Sequence, residues 1–212
     1  MEELRNFAGA LRVGGVIVYP LLLLAVLSTI VILEKAYVFV ARARMPAGVL
    51  RSIGADGVAW ATFEQTLAGV DPRNYFGRFC RVIVDHRKRP PWWIESRAAD
   101  EASAIEQSLG RGLWILETTV TAAPLLGLLG TISGMIRAFR LFGTEGLVDP
   151  RGVTGGVAEA LIATAVGLFI ALVALFAFNW CSHRQARIMD DMEQLGTRLI
   201  DARRLEEHEG AS

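Results

Sequence analysis

Three stretches of this chain carry no charged residue: Val13 to Leu33, Thr118 to Ile136 and Ala160 to Ser182. A helix rises about 1.5 Å per residue, so each stretch covers roughly the 30 Å hydrocarbon core of a bilayer. The pattern predicts an all-α integral membrane protein with three transmembrane helices. Three such runs are too many for the buried helices of a soluble fold of this length. Before the first run, Leu4, Phe7, Ala8 and Leu11 fall on one side of a short amphipathic entry helix. No cleavable leader is expected, because the first run exceeds an h-region and no small-residue cleavage site follows it.

Between the first two runs the pattern changes to short helices, punctuated by Gly54, Gly57, Gly69 and Asp71-Pro72. The spacing predicts a helix from Pro72 to about Arg89, with Asp71 as its N-cap and Pro90-Pro91 as its stop. From Ile94 onward Ala98, Ala102, Ile105, Leu109 and Leu113 recur at helical spacing. This predicts one long helix leading into the second span, interrupted by nothing except Gly110 and Gly112. The third span is expected to continue through Arg184–Leu205, with Ile188, Met192, Leu195, Leu199 and Ile200 on one face. These stripes read as packing faces that stiffen a helical bundle outside the membrane.

The resulting division is an N-terminal helix (1–12), a first span (13–35), a cytoplasmic helical region (36–113) and a second span (114–142). A short periplasmic loop (143–152), a third span (153–182) and a cytoplasmic C-terminal helix (183–212) complete it. Charge supplies the sidedness. The chain is neutral overall, with 22 basic and 22 acidic residues, yet Arg42 and Arg44 follow the first run and Arg184 and Arg187 follow the third. Basic residues flanking spans favour the cytoplasmic side, so the N-terminus is expected outside and the C-terminus inside. Cys80 and Cys181 then lie on the reducing side and read as structural thiols. His86, His183 and His208 make no metal-ligand spacing with them, and no metal or cofactor is expected. No nucleophile–base pair or phosphate loop is visible, so no catalytic residue and no enzyme activity are expected. Arg87-Lys88-Arg89 reads as a solvated helix end rather than a nucleic-acid site.

The chemistry concentrates in the second and third spans. Thr121–Met135 reads TAAPLLGLLGTISGM and carries Gly127, Gly130 and Gly134 among its leucines. Small residues let membrane helices approach closely, and Ala163, Gly167 and Ala171 repeat the four-residue spacing in the third span. This packing joins the two spans of one subunit or neighbouring subunits around an axis; spacing alone leaves both open. A hairpin turning near residues 147–148 would put Thr131 and Thr164 at one depth. Their hydroxyls either bond the helix carbonyls four residues back or face a polar path. Glu159 lies about two turns into the third span, where a carboxylate faces a bundle interior or cavity, or snorkels to the interface. Glu117 and Glu34-Lys35 read as boundary charges. No ionisable group lies near the middle of any span, so a proton path here would need an acid from a second protein.

The segments Gly14-Gly15 to Glu34-Lys35, Ala123-Pro124 to Met135 and Gly156 to Gly167 are similar to the signatures of the ExbB/TolQ/MotA group of ion-driven motor subunits, in order and over most of the chain. The resemblance, strongest to the ExbB/TolQ branch, implies a bacterial inner-membrane proton-channel subunit. It implies a pentamer whose second and third helices line a pore around ExbD/TolR-like single-span partners, which bring an intramembrane aspartate. Thr131 and Thr164 would be the pore-lining hydroxyls and Glu159 the pore carboxylate. Force would pass to a TonB-like or TolA-like periplasm-spanning protein. The role would be energising outer-membrane import. The alternatives are a TolQ-type part in envelope maintenance and division, or a non-conducting scaffold for single-span partners.

Overall fold

The computed structural model describes residues 16–46, 48–49, 53–54, 57–140 and 150–209. The amphipathic helix expected over 1–12 and most of the loop expected over 143–152 lie outside the described residues. Among the described residues the fold is carried by the helices α1 (Val18–Ala41), α2 (Trp60–Ala68), α3 (Tyr75–Asp85), α4 (Pro91–Gly110), α5 (Leu113–Arg140) and α6 (Pro150–Glu209). A two-residue antiparallel ladder, β1 (Ile53–Gly54) with β2 (Gly57–Val58), pairs Ile53 with Val58 and Gly54 with Gly57. Gly54 and Gly57 therefore serve a small hairpin, where the sequence pattern suggested breaks between helices. Among the described residues three helical stretches are long and apolar enough to cross a membrane, and their runs fall in α1, α5 and α6.

The chain packs as two units. One holds residues up to Ile32 together with Gly112–Trp180; the other holds Leu33–Arg111 and the residues from Cys181 onward. The first, apolar unit is built from α1, α5 and the first half of α6. Pro20 sits in the first turn of α1, where its missing N–H removes no helical hydrogen bond. Leu21 packs with Ala123 and Ala171, flanked by Ile17, Leu24, Leu126, Val166 and Ile170. Ser28 donates to the Thr119 hydroxyl at 3.0 Å, and Thr119 donates in turn to the Ile115 carbonyl at 2.8 Å. The chain of donors satisfies both buried hydroxyls.

The second, charged unit has a core of large side chains. Phe63, Phe76, Phe79, Ile83, Ile94, Ile105, Leu109, Ile188, Met192 and Leu199 are all buried there. The stripes of α4 and of the second half of α6 are its inward faces; Ala102 alone of the α4 set is half-exposed. Arg87 stacks on the Trp60 ring at 4.6 Å and reaches Glu206 at 3.3 Å, and Arg204 pairs with Glu95. Both cysteines are free and buried, and burial pushes the Cys80 thiol up to about 12.

Two helix boundaries differ from the sequence expectation. The N-cap of α3 is Asn74, which accepts from the Gly77 amide at 2.9 Å. Asp71 instead closes the preceding turn, accepting from the Arg73 amide at 2.8 Å. An aspartate that caps its own turn two residues on is an alternative to helix capping. The helix consequently begins three residues later than Pro72 and ends at Asp85. Similarly, α4 and α5 are not one helix. Gly112 adopts φ of +85°, in the left-handed region, and the chain turns at Arg111–Gly112. A glycine tolerates this where other residues do not, and the position ends one helix and starts the next. Pro91, read as part of a stop, is the first residue of α4.

Candidate functional site

The site candidates all lie in the apolar unit, along the seam between α5 and α6. What draws that seam so close is the absence of side chains. A Cβ added at Gly167 would meet the Ala123 carbonyl oxygen at 2.5 Å, and one at Gly127 would meet the Thr164 Cα at 3.0 Å. A Cβ at Gly130 would lie 2.5 Å from the Ala163 methyl, and one at Gly134 would lie 2.9 Å from the Gly156 carbonyl oxygen and 2.8 Å from the Ala160 methyl. Gly156 in turn abuts Ala138. Gly127, Gly130, Gly134, Ala163 and Gly167 therefore sit in an intrachain seam, and Ala171 packs beside it against Leu21 and Ala123. Of the two arrangements open to the sequence, this face joins the two helices within one chain.

The seam fixes the register of the hairpin, and with it the hydroxyls. Thr164 donates across the interface to the Gly127 carbonyl at 2.9 Å. Thr131 donates to the Leu128 carbonyl of its own helix at 2.7 Å. Thr164 thus lies level with Gly127, four residues or about one turn from Thr131. The equal-depth expectation fails because interlocking glycines and alanines, not the midpoint of the connecting loop, set which residues oppose each other. Both threonines remain partly exposed on the hairpin.

Glu159 is less solitary than its sequence position suggests. It forms an ion pair with Arg137 of α5, and Arg137 also donates to the Ser133 hydroxyl at 3.3 Å. The carboxylate side chain keeps 18% of its surface exposed and the arginine 44%. An ion pair lowers the cost of placing a carboxylate beside an apolar surface, provided the partner stays close. Arg137 was legible only as one of three basic residues following the second run. The structure extends α5 to Arg140, so Arg137 stands one turn after Ser133 on the same helix. The buried pair Ser28–Thr119 was equally invisible, since it joins residues 91 positions apart.

Glu34-Lys35 splits in two. Glu34 is exposed as a boundary residue would be, but Lys35 is 1% exposed in the charged unit, its ammonium 3.4 Å from the Ser108 carbonyl. Glu117 is exposed. Among the described residues no cluster of three or more His, Cys, Asp or Glu side chains is placed to hold a metal ion.

Outside the seam, the helices of the apolar unit present large bare side chains. Leu125, Phe139, Leu161, Phe169 and Phe176 are each exposed by 63–68%. Surfaces of this kind are covered by lipid or by other helices. The hairpin is therefore closed along its seam and against α1, and bares large apolar side chains elsewhere.

Comparison with known proteins places the chain in a family. The profile of the MotA/TolQ/ExbB proton channel family matches residues 72–194, which include α3, α4, α5 and most of α6. A Synechocystis sp. protein named as biopolymer transport protein ExbB-like 1 is 31% identical over 191 residues, 88% of this chain and 74% of that protein. The biopolymer transport protein ExbB of Xanthomonas campestris is 38% identical over 106 residues, half of this chain and 42% of its own length. The Tol-Pal system protein TolQ of Pseudomonas aeruginosa is 39% identical over 120 residues, 55% of this chain and 52% of that protein. With three membrane-length helices, a matched profile over more than half its residues and a relative aligned along most of its length, the chain belongs to the MotA/TolQ/ExbB proton channel family.

Proposed function

We propose that this chain is the channel-forming subunit of an inner-membrane motor that uses the proton motive force, with an ExbD-type partner and a TonB-type output protein. One observation carries the reading. The α5–α6 hairpin offers the hydroxyls of Thr131 and Thr164 and an edge carboxylate at Glu159, yet no ionisable group between Thr118 and Ile136 or between Ala160 and Trp180. Hydroxyls pass protons along hydrogen bonds but do not titrate near neutral pH. A relay built on them needs an acid from another chain. The exposed apolar faces of α5 and α6 suit the packing of several copies, in a pentamer, around single-span helices that carry that acid. The Lys and Arg pattern supports an outside N-terminus and an inside C-terminus.

The similarity to TolQ is as high as that to ExbB. This favours a second reading within the family, in which the partners are of the TolR and TolA type and the output serves the envelope. Co-purification from the native membrane separates the two: an ExbD/TonB pair supports import, a TolR/TolA pair supports the Tol role.

The test of conduction is proton flux into liposomes holding the full chain with its single-span partner. Thr131→Ala, Thr164→Ala and Glu159→Gln are each expected to lower flux while leaving the complex intact on size-exclusion chromatography. Flux identical to the parent in all three variants would overturn the pore assignment and leave the scaffold reading.

A further inference from the structure

The proposed path has a positioning residue that its hydroxyls and carboxylate do not explain. Arg137 reaches two ways. One arm of its guanidinium donates to Ser133 on its own helix, and the other holds the Glu159 carboxylate on the neighbouring helix. The fork is planar and rigid, so a guanidinium gripped at one arm presents the other in a fixed direction. The backbone beneath is closely packed beside the pair: a Cβ added at Gly134 would lie 2.8 Å from the Ala160 methyl, and one at Gly156 would lie 2.9 Å from the Ala138 methyl. Sliding one helix along the other would disrupt these close contacts. The carboxylate is freed only when the arginine side chain swings away, and its 44% exposure leaves it room to do so.

We propose that Arg137 is an electrostatic latch on Glu159. While paired, the carboxylate is occupied and takes up no cation from the adjoining aqueous side; when Arg137 swings out, the carboxylate attracts one. This inference rests on the channel reading above and adds to it the control of entry. The arginine acts only through Glu159, so removing it is expected to matter only while that carboxylate is present.

The test uses the full chain with its co-purified membrane partner in liposomes, with proton flux read by an internal pH-sensitive dye. Arg137→Gln is expected to raise flux about fivefold, the upper end for a half-exposed ion pair. In the parent, added salt screens the pair and raises flux; in Arg137→Gln that rise disappears, because only the bare carboxylate remains to be screened. In a Glu159→Gln background, Arg137→Gln is expected to change nothing. Ser133→Ala, which frees one arm of the fork, is expected to give a smaller rise in flux, and Arg137→Lys an intermediate one. If Arg137→Gln fails to assemble, these two milder variants carry the test.

Flux and salt response equal to the parent in Arg137→Gln, or in both milder variants where it does not assemble, would overturn the latch while leaving the channel intact. A rise of the same size in the Glu159→Gln background would overturn it too, because Arg137 would then act elsewhere. A parent flux indifferent to Glu159→Gln, Thr131→Ala and Thr164→Ala alike is the separate failure, that of the channel reading itself.

Discussion

The two units of this chain solve the packing problem in opposite ways. The charged unit fills its interior with Phe63, Phe76, Ile105 and Met192, and keeps its arginines and glutamates on the surface in pairs. The apolar unit does the reverse: its α5–α6 seam is made of glycine and alanine, and its largest side chains, such as Phe169 and Phe176, point outward. The difference follows from the solvent. In water, burying a large apolar side chain contributes about 1.5–3 kcal/mol, so big residues belong inside. In lipid that driving force vanishes between helices, and close backbone approach with a few hydrogen bonds is what remains. The charged unit should therefore suffer most from deletion of atoms, and the apolar unit from addition.

The largest expected effect is a deletion in the charged unit. Phe63 is fully buried on α2, and Phe63→Ala is expected to cost about 3–5 kcal/mol. Cys80, buried on α3, reports it. Its thiol is held up to about 12 from an ordinary 9.0 by burial, so it is neutral and shielded in the folded unit at pH 8. Alkylation of Cys80, followed by peptide mass spectrometry, is expected to accelerate by roughly a hundredfold or more in the variant. The same shift gives a pH sign. A thiol whose folded pKa is raised favours the folded state fully below pH 9, and that contribution is lost as pH rises toward 12. An unchanged labelling rate in Phe63→Ala would mean that the phenyl ring is not part of the cooperative core.

Next comes an addition in the apolar unit. Gly167→Val places methyl groups where a single Cβ would already lie 2.5 Å from the Ala123 carbonyl oxygen. A backbone atom cannot rotate away, so the cost is expected near the upper end of overpacking, about 3 kcal/mol. The measurement is the thermal midpoint of the detergent-solubilised protein. Gly196→Ala in the charged unit is the control: its Cβ would meet only the rim of the Phe79 ring at 3.0 Å, and a loss of about 1 kcal/mol is expected. Equal losses in the two would break the comparison between the units.

How far the sequence carries depends on the same contrast. The three spans, the all-helical class and the inward stripes of α4 and α6 were legible because each is a periodicity of neighbours along one helix. The glycine and alanine ladder was legible as a packing face, yet its partner was not, because spacing says nothing about which helix it meets. Thr164 shows why. Counting from the loop puts it level with Thr131, whereas the interlocked seam puts it level with Gly127. Lys35 looked like a boundary charge and is buried against the Ser108 carbonyl, 73 residues away. Arg137 and Glu159, 22 positions apart on separate helices, join only once the hairpin closes. Pairings across elements are fixed by tertiary approach, and no local pattern records them.

The smallest expected change in stability separates packing from conduction. Thr164 stands in both accounts: its hydroxyl glues α6 to the Gly127 carbonyl, and it is a proposed step on the proton path. Thr164→Val keeps the shape and removes the hydroxyl. Interhelical hydrogen bonds of this kind in membranes average only about 0.6 kcal/mol, because the separated helices find other partners. The thermal midpoint is therefore expected to move barely beyond error, far less than in Gly167→Val. If the hydroxyl is merely glue, proton flux should stay within about threefold of the parent, in keeping with so small a loss. If it is a step on the path, flux should fall well below that while the complex stays assembled, since valine can neither donate nor accept. Thr131 sharpens the contrast. Among the described residues its hydroxyl bonds to Leu128 of its own helix, so Thr131→Val removes no bond between the described helices. A loss of flux shared by both variants would tie them to one path; a loss confined to Thr164→Val would place its effect at the seam.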